Sequence, residues 1–483
     1  MKLATGSALA QGLGIVVAPL VARMFMPASF GTAALFGSIV GIIGVVACMR
    51  YEFSIVLPKD DGEAANLLAV SLFLVMLVSL VSGIMVYFGN EWIIERVHDT
   101  ALKAYLWLIP ITVAINGIFL ALNYWNSRTK HFGRQSVAEV LSSVTTQLTK
   151  LGAGFAGITS SGAMIAAGII GQGTATAMLG RNIWGDDNKI FVASIKWKSM
   201  IAGFRKYSKF PKYDIWSGLL NAASWQLPTV LLAVFFNPVV VGYYALGLAV
   251  VRLPMNVVGK SVARVFYQRV SDAKNQGEVG NVVKNVYDRL VVIGLFPVMM
   301  LCLVGRDLFL VAFGKNWPEA GVYIQILAPF VFFNFISSPM STLFSIYEKQ
   351  EWSLYLNMVI FMTRLLSLFI GGILGNVYLA LGLFSITGVI VYGGLSAWSI
   401  RMSGQSLKVF VLPLLRSCLI FLIAALGMLT LKILFKPTSV TYLLAAVAIA
   451  ILYEAVVFLR DGTLMSYFKQ MGGRKTVRQE GLA

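Results

Sequence analysis

The sequence predicts an all-α polytopic membrane protein with about 14 transmembrane helices. Three observations carry this. Of 483 residues, 58% are hydrophobic and 12% are charged, where a soluble chain would be about 25% charged; the mean hydropathy is +0.79. Apolar stretches of about 20 residues, enough to cross a bilayer, follow one another from end to end with short connections. Lys and Arg collect on alternate connections. This composition excludes a disordered chain, a collagen, a coiled coil and a disulfide scaffold.

In order, the stretches are 4–23, 30–56, 65–88, 101–125, 136–158 and 162–180, then 214–236, 240–264, 287–305, 321–346, 353–374 and 377–399, and finally 408–432 and 438–459. Residues 30–56 are long enough to tilt or to protrude. Residues 1–22 also fit a cleaved signal peptide, but the repeat described below needs them intact. With the N-terminus inside, roughly two dozen Lys and Arg fall on the cytoplasmic face and about six on the other. Both termini are therefore expected in the cytoplasm. The same rule accounts for the net charge of +18 without nucleic acid. Trp92, Trp125, Trp216, Trp317, Trp352 and Trp398 fall near span ends, as an aromatic belt requires. Cys48, Cys302 and Cys418 sit in apolar runs, and His98 and His131 lie in different loops. No disulfide, metal site or cofactor is expected.

Residues 20–40 repeat at 231–251. Leu20, Ala22, Phe25, Pro27, Gly31, Ala34, Leu35 and Val40 match Leu231, Ala233, Phe236, Pro238, Gly242, Ala245, Leu246 and Val251. The shared Pro-x3-Gly-x2-Ala-Leu falls at the same helix–loop–helix junction in both halves. An even number of spans separates the copies, so the halves share orientation about an axis along the membrane normal. The expected organisation is a six-helix bundle at 1–180, a basic cytoplasmic linker at 181–212 and a second six-helix bundle at 213–400. Two further helices at 401–460 and a basic cytoplasmic tail at 461–483 follow. The linker sets Ile195, Trp197 and Ile201 among cations. It reads either as an amphipathic helix on anionic lipid or as a solvated linker that fixes topology.

An ionisable group at a helix centre costs at least ~2.5–3.5 kcal/mol on insertion scales. Lys150 lies roughly 20 Å into its span, Arg252 roughly 18 Å and Arg364 roughly 17 Å. Arg50 and Lys260 fall in the inner third, and Arg23 at the outer end of the first span. The acids are fewer: Glu52, Glu139 and Glu454. A net cationic interior drawn from both halves suits an anionic substrate such as a pyrophosphate, because guanidinium pairs bidentately with phosphate oxygens. Each residue has a plainer alternative. Arg23 and Lys260 also read as snorkelling anchors. Lys150, Arg252 and Arg364 also read as partners in buried ion pairs, and Glu52 as a neutraliser of Arg50 or an ion-coupling group. Trp225-Gln226, just before Pro228, reads as a sugar platform or as packed core. Asn221, Asn116 and Gln11 read as sugar contacts or as interhelical hydrogen bonds. No Walker lysine loop, GxSxG elbow or HExxH stands in a suitable context, so the chain is not expected to be an enzyme.

The stretch Pro27-Ala-Ser-Phe-Gly-Thr, continuing through Arg50-Tyr-Glu-Phe-Ser-Ile-Val-Leu-Pro-Lys-Asp-Asp-Gly-Glu-Ala-Ala-Asn-Leu-Leu, resembles the bacterial polysaccharide and O-antigen repeat-unit flippases. These belong to the multidrug/oligosaccharidyl-lipid/polysaccharide exporter superfamily. Arg252-Leu-Pro-Met-Asn-Val-Val-Gly and Val265-Phe-Tyr-Gln-Arg-Val-Ser also look like the family. The resemblance implies two bundles in a V around a central cationic cavity. It implies a substrate of oligosaccharide on undecaprenyl pyrophosphate, flipped to the outer leaflet of the inner membrane. It carries over Arg50 and, less directly, Arg252. The expected drive is an ion gradient (proton or sodium) or the membrane potential. The expected surroundings are membrane lipids and a polymerase and chain-length regulator of the same pathway, with the flippase a monomer. A multidrug cation antiporter and a peptidoglycan lipid-precursor flippase are the alternatives within the superfamily. A membrane-embedded glycan polymerase would need larger outer loops.

Overall fold

The structure, a computed structural model, describes residues 2–254, 260–274 and 277–460. Among these residues the regular elements are all helical. They are α1 (Lys2–Met24), α2 (Pro27–Gly44), α3 (Asp61–Arg96), α4 (Ile109–Arg128), α5 (Phe132–Phe155), α6 (Ser161–Ser194), α7 (Trp197–Lys206), α8 (Ile215–Phe235) and α9 (Pro238–Pro254). Then come α10 (Lys260–Lys274), α11 (Val279–Phe313), α12 (Pro318–Met340), α13 (Leu343–Ile346), α14 (Gln350–Ile373), α15 (Val377–Met402), α16 (Lys408–Phe435) and α17 (Ser439–Arg460).

Among the described residues, twelve segments are long and apolar enough to cross a membrane. The two other expected stretches are helices as well. α5 has 24 residues, but Gln135, Glu139, Ser142, Ser143, Thr146 and Lys150 form a polar stripe along it. α9 has 17 residues and is a little short. The expected continuous span 30–56 is broken. α2 ends at Gly44, and Met49 and Arg50 take φ of 49° and 65°. A right-handed helix cannot pass through two left-handed residues, so the chain turns there and continues as a short 3₁₀ helix, Tyr51–Val56. Residues 181–212, expected as a linker, are largely helical: α6 runs on to Ser194 and α7 follows.

The chain forms two compact units. The first comprises Met1–Leu253, Ala312–Tyr323 and Tyr355–Phe384; the second comprises Pro254–Val311, Ile324–Leu354 and the chain from Ser385 onward. In the first unit small residues let helices approach closely. Gly6 and Gly14 of α1 face Ser136 and Gln147 of α5, while Ser143 donates to the Ala10 carbonyl at 2.7 Å. Gly171 of α6 sits against Thr146 and the Ser142 carbonyl. Pro27 and Pro238 open α2 and α9 where a missing N–H is harmless. The fully buried Trp317 donates its indole N–H to the Ala22 carbonyl at 2.7 Å.

In the second unit Phe266, Tyr287, Leu295, Phe332, Ile336 and Ile400 form the main core. α16 and α17 pack on α11 through Phe296, Met428 and Tyr442. Tyr453 stacks on Phe296 with centroids 4.1 Å apart and donates to the Val292 carbonyl at 2.9 Å.

Candidate functional site

The first unit gathers most of the cations singled out in the sequence. α8 supplies Trp225, α9 supplies Arg252 and α14 supplies Arg364. The Arg252 guanidinium lies 4.6 Å from the Trp225 ring centroid and that of Arg364 lies 4.5 Å from it. One indole thus holds two like charges, each attracted by the ring quadrupole. Arg364 is 4% exposed, and its Nη1 donates to the Ser224 carbonyl at 2.9 Å and to the Ser224 hydroxyl at 3.2 Å. Phe384 closes over it at 5.7 Å.

Beside this cluster lies a cavity of about 220 Å³, lined by Ser38, Trp225, Gln226, Thr229, Tyr244 and Arg252 among others. Gln226 accepts from Ser38 at 3.2 Å. The Tyr244 hydroxyl is buried and, among the described residues, makes no hydrogen bond. A second cavity, of about 460 Å³, is lined by Thr112, Asn116, Lys150 and the apolar Phe30, Phe36 and Met164. The two cavities share Ala34, Gly37, Ala245 and Ala249, so only small side chains separate them. Ala34 and Ala245 are repeat-matched positions. Among the described lining residues of both cavities there is no Asp or Glu. The arrangement can receive an anion beside a hydroxyl-rich group.

Arg50 forms a separate site. Its guanidinium sits 5.3 Å from the Phe53 ring and 3.8 Å from the Glu52 carboxylate. It also fills the space over Gly218 of α8, where a β-carbon would collide with it. Glu52 is 1% exposed, and among the described residues neither carboxylate oxygen has a hydrogen-bond partner. It lies beyond the end of α2, in the connection to α3. Burial pushes its carboxyl from an ordinary 4.5 up to about 7; Arg50 opposes this rise and Asp214 adds to it. The fold therefore holds this proton more tightly than the unfolded chain does. Glu52 favours the fold below about pH 4.5, and that contribution is lost as pH rises to about 7. Glu52→Gln is expected to flatten this part of the melting profile by up to about 3 kcal/mol. Parallel profiles for the two proteins would refute the assignment.

The remaining expected residues are dispersed. Arg23 donates to the Ala312 carbonyl at 3.2 Å, at the far end of α1. Gln11 keeps a buried amide oxygen without a hydrogen bond among the described residues. Asn221 is exposed on α8 and lines neither cavity. Lys260 opens α10, and its side chain lies outside the described residues. Sequence reasoning missed Ser38, Ser224, Thr229 and Tyr244. Ser38 and Tyr244 lie on the repeat-matched helices, which was the one signal available for them.

A family model described as "Polysaccharide biosynthesis protein" matches residues 20–322. A relative from Klebsiella pneumoniae, described as "Uncharacterized membrane protein in cps region", is 20% identical over 361 residues, spanning 72% of this chain and 70% of its own length. Among solved structures the chain is similar to the lipid II flippase MurJ in an inward closed conformation. The TM-score is 0.72 at 13% identity, over 94% of this chain and 98% of that one. It is also similar to an inward-facing multidrug resistance MATE family transporter of the MOP superfamily. Here the TM-score is 0.66 at 14% identity, over 84% of this chain and 96% of the other. The fold is that of these membrane transporters.

Proposed function

This chain belongs to the polysaccharide biosynthesis protein family, and from that premise we propose that it flips an oligosaccharide linked to undecaprenyl pyrophosphate. Movement runs from the cytoplasmic to the outer leaflet of the bacterial inner membrane, by alternating access. One observation carries the reading: two guanidiniums share the Trp225 indole beside a cavity with no carboxylate among its described lining residues. A pyrophosphate is prohibitive to desolvate alone. Arg252 and Arg364 supply the fixed charge that replaces its water. Ser38, Thr229 and Gln226 offer hydrogen bonds to the first sugar, and Lys150 with Asn116 takes acidic or amide groups further along. Glu52, buried beside Arg50, is the coupling carboxylate, loading and releasing a proton as the turn moves.

The test is transbilayer movement of a defined undecaprenyl-pyrophosphate oligosaccharide in proteoliposomes. A membrane-impermeant glycosidase reports exposure, with and without proton and sodium gradients. Exposure that depends on a gradient and is lost in Arg252→Ala supports the proposal. No exposure across several glycans, together with uptake of organic cations, would replace it with a cation antiporter.

A further inference from the structure

The site leaves the basic segment after α6 unused, and its geometry is specific. α7 is held on α3 mainly through one side. Gly203 packs on Leu67, Asn66 accepts from the Lys196 amide at 3.0 Å, and Lys206 meets Glu63 at 2.6 Å. The opposite side is apolar and open: Trp197 is 61% exposed, Ile201 38% and Phe204 43%. At i, i+4 and i+7 these three form one stripe. Trp197 meets the ring of Phe73 edge-on at 5.9 Å. Phe73 begins the exposed apolar surface of α3 that continues through Met76, Leu77 and Leu80. The open stripe of α7 is thus continuous with a surface that lipid tails cover. Lys198 and Arg205 flank it, exposed, and among the described residues neither makes an ion pair. An apolar stripe edged by unpaired cations at the end of a spanning helix is the geometry of a helix lying in a headgroup layer.

α7 also touches the arginine turn. Tyr51 stacks on Phe204 with centroids 5.1 Å apart, and its hydroxyl donates to the Phe204 carbonyl at 2.7 Å. Tyr51 directly follows Arg50 and precedes Glu52.

We propose that α7 binds anionic phospholipid headgroups through Lys198 and Arg205, and that the bound lipid steadies the Arg50–Glu52 turn through the Tyr51–Phe204 contact. The binding stands without the flippase reading; only its consequence for transport rests on that reading. Charge complementarity and continuity with the lipid-facing surface of α3 select a bilayer as the occupant. Free phosphate has no use for the apolar stripe.

The experiment uses the full chain in nanodiscs of phosphatidylcholine with or without phosphatidylglycerol. Native mass spectrometry counts retained phosphatidylglycerol, and hydrogen–deuterium exchange follows residues 48–57. Phosphatidylglycerol is expected to slow exchange in 48–57 of the unmodified protein. The Lys198→Gln/Arg205→Gln variant is expected to retain the lipid about 30-fold more weakly, at roughly 1 kcal/mol per cation near an anionic surface. It is also expected to lose the exchange response. Tyr51→Phe should keep the lipid and lose the response, which separates latch from binding. Inorganic phosphate added to the lipid-free detergent form should change nothing. Equal lipid retention by the double variant, the outcome expected of a solvated helix or one docked on an acidic protein, overturns the binding site. An undiminished response in Tyr51→Phe overturns the latch. No readout requires the transported substrate, so failure here leaves the flippase proposal standing.

Discussion

Arg252→Glu is expected to insert and fold normally yet lose transport by about 100-fold or more. The expectation rests on where Arg252 differs from Arg364. Both guanidiniums lie on the Trp225 ring, but Arg252 is half-buried and lines the cavity, whereas Arg364 is 4% exposed and is fixed to Ser224. Reversing Arg364 would bury a carboxylate against the Ser224 carbonyl and destabilise the unit itself. Reversing Arg252 gives up its contact with the Trp225 ring and changes the charge of the cavity. A phosphate-bearing substrate then loses a charge-assisted bond worth about 1.5–3 kcal/mol and meets a repelling group in its place. Arg252→Lys keeps the charge but not the planar fork, and should fall between, about 10-fold down. The rate is read in proteoliposomes, with expression and melting temperature as controls for folding. Full transport by a well-folded Arg252→Glu protein would remove this residue from the proposed phosphate site.

The depth of Arg252 and Arg364 was legible from span counting alone, because a charge near the middle of a long apolar run stands out in one dimension. Their meeting on Trp225 was not. It depends on α14 packing beside α8, across more than a hundred residues of chain, and no local pattern encodes that register. Arg50 is the opposite case. Its motif was the most recognisable part of the sequence, yet it lines neither of the two cavities with Arg252 and Lys150, and sits instead over Gly218. The cause is the left-handed pair Met49–Arg50. Turns with positive φ are normally announced by Gly, Asn or Asp. Here a Met and an Arg adopt them, so the apolar run through 56 read as one helix. Fold class survived such errors because it rests on composition and periodicity summed over the whole chain. Side-chain neighbourhoods rest on single contacts.

Gly31→Ala and Gly242→Ala should each destabilise the protein by about 3 kcal/mol, to similar extents, and together by less than twice that. These glycines are a matched pair of the internal repeat, and the structure turns the match into a contact. A β-carbon on Gly31 would run into the Pro238 carbonyl, and one on Gly242 into the Pro27 carbonyl. Each junction therefore rests on the proline of the other copy, and the contact is close to self-complementary about the repeat axis. The obstacle on each side is backbone, which no rotamer change relieves. Near-equal effects follow from that symmetry. Sub-additivity follows because one small separation of α2 from α9 relieves both collisions at once, and neighbouring sites that share a displacement do not add. Thermal unfolding of both single variants and the double variant in detergent measures all three terms. Strict additivity would mean that the two collisions relax independently, and the repeat would then be a pattern in sequence without a shared contact in the fold. The same separation would widen the wall of Ala34 and Ala245 between the two cavities. A sub-additive pair should therefore also alter transport through the Trp225 site, although neither glycine lines the smaller cavity.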